Sequence, residues 1–444
     1  VNPPPDFDRE DTGRLRAEWL QYRSRLNDPE TGLPTLAGIV DDLRRQLEGG
    51  LPLGVLTLSL YAERQLEESW GWQAYDRLVV EFIRTLRLDR GNGTVPEGLL
   101  CVPGVRADEV FLFLGIDPDR VASGSPAEWL AESAERLDQY VKTFFAQRLP
   151  SADRFRNYVG ASVIFSDPKV RIERLIYRGI REARSEVDDR TARAELRGSD
   201  LLRRIIAESR ITPVFQPIFE LATGRVFAFE ALSWGPPGSG FETGETLFAF
   251  AERADLLLPL ERVCRRRILE EAGGMSPEQL LFVNLSPAAA TDEEFLDGTF
   301  LRQVRGGGFP PSRIVVEITE HTYALHHAQF TKVLQELRGE GFLIAVDDMG
   351  TGYASFSSLA EIQPDYLKFD SVFVHEIQNH RIKRDLLDAM LTFANKTHTH
   401  VIAEGIETEE ELETLIELGV PLGQGFHLAR PTALAEAMKH VKTA

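Results

Sequence analysis

LIAVDDMGTGYASFSSLAEIQPDYLKFD (343–370) contains two short apolar runs, LIAV and YLKF, and each meets a residue of catalytic type near its end, Asp347-Asp348 and Lys368. Working outward, similar runs recur at VFQPIFEL (from 214), VFAFEAL (226), LFVNLS (281), IVVEITE (314), VIAEG (401) and GQGFHLA (423). Most are separated by amphipathic stretches of helix length. Eight strands alternating mainly with helices predict an α/β fold, a TIM-type (β/α)8 barrel. The first two runs are joined by the turn signal ATG, which predicts a hairpin and therefore one irregular strand.

The polar residues sit at strand ends: Glu230, Asn284, Glu317 with Glu320, Asp347 with Asp348, Lys368, Glu404 with Glu407, and Gln424. In such barrels the C-terminal strand ends converge on the face where active sites are built. Taken singly, each has an ordinary reading. Asp347-Asp348 before MGTGY could cap a helix, Asn284 could make an Asx turn, Lys368 could snorkel, and IETEEELETL reads as a solvated helix face. His321, His326 and His327 are an alternative metal cluster, but they begin a helix, and surface or capping roles weigh well above ligation. Together, however, several carboxylates in one mouth repel one another unless cations sit among them. Hard oxygen ligands suit Mg2+ or Mn2+. Two adjacent acids on one strand end can split two cations, the clamp used for phosphoester hydrolysis, with a nearby lysine to stabilise developing charge.

The chain of 444 residues is long enough for such a barrel plus a smaller domain. Its formal net charge of −19 argues against a nucleic-acid binder. Two cysteines without CxxC spacing indicate neither a disulfide framework nor a zinc site, which fits a reducing cytoplasm. No apolar run approaches the roughly 18 residues a membrane span needs. Val1 opens the chain without Met, as in a fragment.

Before the barrel, residues 1–27 read as an N-terminal helix, 28–186 as an α+β domain with a central antiparallel-type sheet, and 187–205 as a charged helical linker. The barrel domain then covers 206–444.

FEAL (229–232), VNLSP (283–287), VVEITE (315–320), VDDMGTGYASF (346–356), DYLKFD (365–370), VIAEGIE (401–407) and GQGFHLARP (423–431) together resemble the EAL-domain family of cyclic diguanylate phosphodiesterases. The resemblance implies a modified TIM barrel that hydrolyses cyclic di-GMP to linear pGpG with two Mg2+ or Mn2+ ions. It implies metal ligation by Glu230, Asn284, Glu317, Asp347, Asp348 and Glu404, and catalytic roles for Lys368, Glu404 and Glu320, the last anchoring the DDMGTGYAS loop. Substrate contacts would come from Gln216, Leu232, Trp234, Asp370 and Gln424, with a homodimer as the expected assembly. Trp234 departs from the pattern, because the family commonly has a phosphate-binding arginine there. An indole offers one neutral N–H in place of a charged fork. Residues 25–186 resemble a GGDEF diguanylate cyclase domain more loosely, through DPETGLP (28–34), GWQAYD (71–76) and ADEVFLFL. Its signature turn is replaced by Arg106-Ala107-Asp108-Glu109-Val110, and Ser59 and Tyr61 stand where metal-binding acids are usual. Cyclase activity is not expected; a regulatory or partner-binding role is, with weak GTP sensing the most the nucleotide site would keep. The alternative to hydrolysis is a catalytically silent cyclic di-GMP receptor or scaffold, and a third reading is an unrelated two-metal phosphoesterase.

Overall fold

In LGVLTLS (53–59) side chains alternate across a strand, so Leu53 and Val55 enter one core while Leu56 and Leu58 enter another. A sheet buried on both faces needs helices on both, and the flanking sequence supplies them. In the computed structural model, residues 26–60, 72–90, 95–103, 109–117, 119, 126–148, 158–286, 288, 292–319, 327–349, 359 and 361–441 are described. The helix expected over 1–27 lies outside them save its last two residues.

The chain divides into two compact units, Val1–Gly198 and Ser199–Ala444. The first contains α1 (Leu36–Glu48), β1 (Leu53–Ser59), α2 (Trp72–Asp89), β2 (Leu99–Cys101), β3 (Glu109–Gly115), α3 (Pro126–Ala146) and β4 (Tyr158–Ile164). Its strands form one antiparallel sheet in the order β2-β3-β1-β4. Phe82 of α2 and Phe145 of α3 pack on one face; Leu43 and Leu47 of α1, with Ile176 and Ile180, pack on the other. This is the α+β arrangement with an antiparallel sheet that the strand and hairpin signals predict. Ile176 and Ile180 belong to α4 (Ile172–Ala207), a single helix of 36 residues. Sequence reading splits that stretch into a domain helix and a linker; it holds no Pro, the helix runs through Gly179 and Gly198, and it ends just before Ser209, where φ is positive.

The second unit is a closed barrel of eight strands: β5 (Thr212–Glu220), β6 (Arg225–Trp234), β7 (Leu280–Asn284), β8 (Ile314–Thr319), β9 (Leu343–Met349), β10 (Tyr366–Phe369), β11 (His400–Ala403) and β12 (Leu422–Gly423). Only β5 runs antiparallel to its neighbours, β6 and β12; the other adjacent pairs are parallel. The predicted hairpin is thus the irregularity in an otherwise parallel barrel. Among the described residues its α-helices are α5 (Gly244–Arg253), α6 (Leu257–Glu271), α7 (Glu293–Leu296), α8 (Thr299–Gly306), α9 (His327–Gly339), α10 (Ser371–Val374), α11 (Arg381–Thr397), α12 (Glu409–Glu417) and α13 (Leu434–Ala437). Outward residues such as Leu281, Val283, Val316, Ile344, Val346 and Val401 share a core with Ile268 of α6, Leu334 of α9, Leu387 of α11 and Leu415 of α12.

Inside the barrel, one residue from each strand meets in a second core: Ile218, Ala228, Phe282, Val315, Ala345, Tyr366, Ile402 and Leu422. That plug closes the interior and sets the depth of everything above it.

The last strand is shorter than GQGFHLA suggests. After Gly423 the chain packs against the turn that follows β11, and a Cβ added at Gly425 would lie 2.1 Å from the Ile406 carbonyl oxygen. Gly425→Ala is therefore expected to destabilise the protein by about 1–3 kcal/mol, the usual cost of overpacking. Urea unfolding of the full chain checks this, and an unchanged midpoint would contradict the close approach.

Candidate active site

The residues two positions beyond the apolar plug point the same way into the barrel, because strand side chains repeat every second residue. They are Glu230, Asn284, Glu317, Asp347, Lys368, Glu404 and Gln424. On the reversed strand β5, the matching position is two residues earlier, Gln216. The fold thus converts one apolar layer into one polar layer, with six residues on their strands and Glu404 and Gln424 just past the ends of β11 and β12.

Lys368 stands at its centre and is 1% exposed. Its Nζ lies 2.7 Å from Glu404 Oε1, 2.8 Å from Glu317 Oε1, 3.3 Å from Glu230 Oε2 and 3.5 Å from Asp347 Oδ2. Gln424 Nε2 donates to Glu230 Oε2 at 2.7 Å and to Glu404 Oε1 at 2.8 Å. Asn284 Nδ2 reaches Glu230 Oε1 at 3.4 Å, and Gln216 Nε2 donates to the Ala429 carbonyl at 3.1 Å.

One ammonium cannot neutralise four carboxylates. Burial by itself would lower the Lys368 pKa, yet Asp347, Glu230, Glu317 and Glu404 outweigh it and hold the amine well above its usual value. Burial pushes the Glu317 and Glu404 carboxyls well above the ordinary range; Lys368 opposes this, while neighbouring acids add to it. Additional positive charge, as protons or cations, is what the cluster lacks. Glu317 Oε2 accepts no hydrogen bond among the described residues, and Oε1 meets the Lys368 ammonium. Among those residues the acids are not already gathered into a three-ligand cage; the ammonium sits between them. Convergent hard oxygens with unused lone pairs nevertheless suit Mg2+ or Mn2+ better than any softer metal.

Above this layer is a cavity of about 370 Å³ lined in part by Gln216, Glu230, Leu232, Asp347, Asp370 and Gln424. Asp370 also caps α10, accepting from the Val372 N–H at 2.7 Å. Gly405, with φ of +67°, passes so close to Ser371 that a Cβ would lie 2.4 Å from that residue's own Cβ. Ser371 and Phe426 line the cavity too, although neither stands out in sequence. Phe426 falls inside GQGFHLA and could have been found by asking which aromatic follows the last strand.

Trp234 ends β6 opposite Thr212 and is 37% exposed. It is not among the described residues lining the cavity. Glu320, His321 and His326 lie outside the described residues, as do Tyr61, Arg106, Ala107 and Asp108. The backbone of Asp348 and His327 belongs to β9 and α9, but their side chains are outside the described set.

Lys368→Met should cost about 3–5 kcal/mol in chelator, because it leaves buried acids facing one another. Saturating Mn2+ should recover part of that loss. Thermal unfolding with and without the ion checks both statements, and a variant as stable as wild type in chelator would contradict them.

A family model described as the EAL domain matches residues 199–431. The chain is 25% identical over 460 aligned positions to an uncharacterized protein, y4lL, of Sinorhizobium fredii, covering 97% of this chain and 52% of that protein. It is 27% identical over 251 residues to the probable cyclic di-GMP phosphodiesterase PdeG of Escherichia coli K12, covering 54% of this chain and 48% of the relative. The chain thus spans about half the length of these two curated relatives. The structure of the EAL enzyme Bd1971 in its cAMP- and cyclic-di-GMP-bound form superposes with a TM-score of 0.53 at 21% identity, covering 65% of this chain and 82% of that one. This last likeness speaks to fold.

Proposed function

The chain belongs to the EAL-domain family, and from that premise we propose that it is a metal-dependent phosphodiesterase that opens one 3′,5′ phosphodiester of cyclic di-GMP to give linear pGpG. The observation that carries this reading is the polar layer around Lys368 at the floor of the cavity. Glu230, Asn284, Glu317 and Asp347 would hold one Mg2+ or Mn2+, with Asp347 and Asp348 holding a second. Bound there, the cations would acidify a water and polarise the phosphoryl oxygens.

The remaining work falls to the chain. Glu404, a further candidate ligand at the cavity wall, accepts the proton of the attacking water. As the new P–O bond forms and the P–O3′ bond breaks, Lys368 stabilises negative charge from its buried position, and the 3′ oxygen leaves as the hydroxyl of pGpG, taking up the proton that Glu404 removed from the water. Gln424 keeps Glu230 and Glu404 oriented through its two donated hydrogen bonds. Gln216, Leu232 and Asp370 contact the substrate, and Glu320 steadies the loop after β9.

The N-terminal unit is read as a degenerate GGDEF-like domain that regulates the barrel, supports a homodimer or binds a protein partner. Its antiparallel sheet with helices on both faces supports this, and the loss of glycine from the Arg106–Val110 turn removes the close backbone approach that a nucleotide phosphate needs. One specific observation favours a second reading, a cyclic di-GMP receptor without turnover: Trp234 stands where the family commonly has arginine.

Purified protein with Mn2+ or Mg2+ should convert cyclic di-GMP to pGpG, and Asp347→Ala should reduce turnover about 100-fold or more. No product above that variant would overturn hydrolysis. Trp234→Arg should lower KM about tenfold, the gain expected from a charge-assisted bond to phosphate. Calorimetry with Ca2+ separates the receptor, which binds cyclic di-GMP without hydrolysing it in Mn2+, from a module that binds none.

A further inference from the structure

The run IETEEELETL reads from sequence as a solvated helix face, and Glu409, Glu410 and Glu413 of α12 are exposed as that reading requires. Glu411 departs from it, being only 1% exposed. Part of its role is ordinary capping. The Thr408 hydroxyl accepts the Glu411 N–H at 3.3 Å and Glu411 Oε2 accepts the Thr408 N–H at 3.1 Å, the reciprocal pair that starts many helices.

Two further bonds lie outside that pair. Glu411 Oε2 also accepts the Glu407 N–H at 2.9 Å, and Oε1 accepts the Glu376 N–H at 2.9 Å, with His375 Nδ1 3.4 Å from that same oxygen. Each donor belongs to a different segment of the cavity wall. Glu407 lines the cavity at the end of the turn that starts from Glu404, which lines it as well. Glu376 follows α10, the short helix that starts from Asp370 and Ser371, two more lining residues. The two segments touch where Gly405 passes Ser371.

Glu376 has a φ of +53°, and a non-glycine residue stays in that region only where its surroundings fix it. Three backbone donors on two oxygens also demand an acceptor with no N–H of its own, which a carboxylate is and a carboxamide is not. We propose that Glu411 is a positioning residue: its carboxylate bridges the turn after β11 to the exit of α10 and so fixes the segment bearing Glu404 against the segment bearing Asp370. The catalytic consequence rests on the reaction proposed above, and the bridge extends that reading to a residue behind the cavity wall.

The test compares Glu411→Gln with Thr408→Ala in the full chain with Mn2+. Thr408→Ala removes the capping hydroxyl and leaves the Glu411 carboxylate with its donors, so it lowers stability without freeing either segment. Glu411→Gln turns an NH2 toward one of them. It should lower kcat/KM for cyclic di-GMP about 10- to 100-fold, the cost of a displaced catalytic group. Hydrogen exchange at the Glu376 or Glu407 amide should quicken about tenfold, the worth of a hydrogen bond to a charged acceptor. Thr408→Ala should lower the unfolding midpoint and keep both readouts at wild-type values. Glu411→Asp, which keeps the charge and loses the reach, supplies the same readouts if Glu411→Gln does not fold. Wild-type kcat/KM in Glu411→Gln, or a loss that Thr408→Ala reproduces, overturns the inference and leaves Glu411 a helix cap. Wild-type protein that makes no pGpG defeats the proposed reaction alone; the bridge then stands if exchange quickens at those amides in Glu411→Gln and falls if it does not.

Discussion

Side chains on a strand alternate between its two faces, and in a closed barrel the inner face has little room. Ile218, Ala228, Phe282, Val315, Ala345, Tyr366, Ile402 and Leu422 fill that room at one level. The next inward residues are therefore forced together above them, whatever their charge. In this chain four of the eight are acids, and the one amine, Lys368, is what allows them to coexist. The site is a by-product of register: slip one strand by one residue, and its carboxylate moves to the helix-facing side while an apolar residue enters the mouth.

That constraint also explains why so much was readable beforehand. YLKF, IVVE and VIAE each show an apolar residue, a gap and then a polar residue two places on, which is the spacing that turns a plug residue into a site residue. Glu230, Glu317 and Lys368 could be found because strand geometry carries that spacing directly. The reversed β5 was legible from its turn signal, and with it the reason Gln216 precedes its plug residue where the others follow theirs.

What stayed hidden depends on contacts distant in sequence. Arg262 and Arg265 of α6 look like part of any charged helix face, and only the return of the chain at Asp292, whose carboxylate meets both guanidiniums, turns that face inward. The shortness of β12 follows from Gly425 lying against Ile406, a packing event with no local signal. The continuity of α4 was obscured for the opposite reason: charge of both signs reads equally well as a linker or as a helix supported by its own side-chain pairs.

The reversal of β5 has a topological result. In a barrel whose first strand is parallel to the rest, the chain enters at the closed bottom and reaches the open face only after crossing the core. Here it enters at the rim, since Thr212 pairs with Trp234 at the mouth end of β6. Gln216 follows four residues after that entry point, so a backbone shift arriving at Ile211 has only a few bonds in which to dissipate before it reaches the cavity wall.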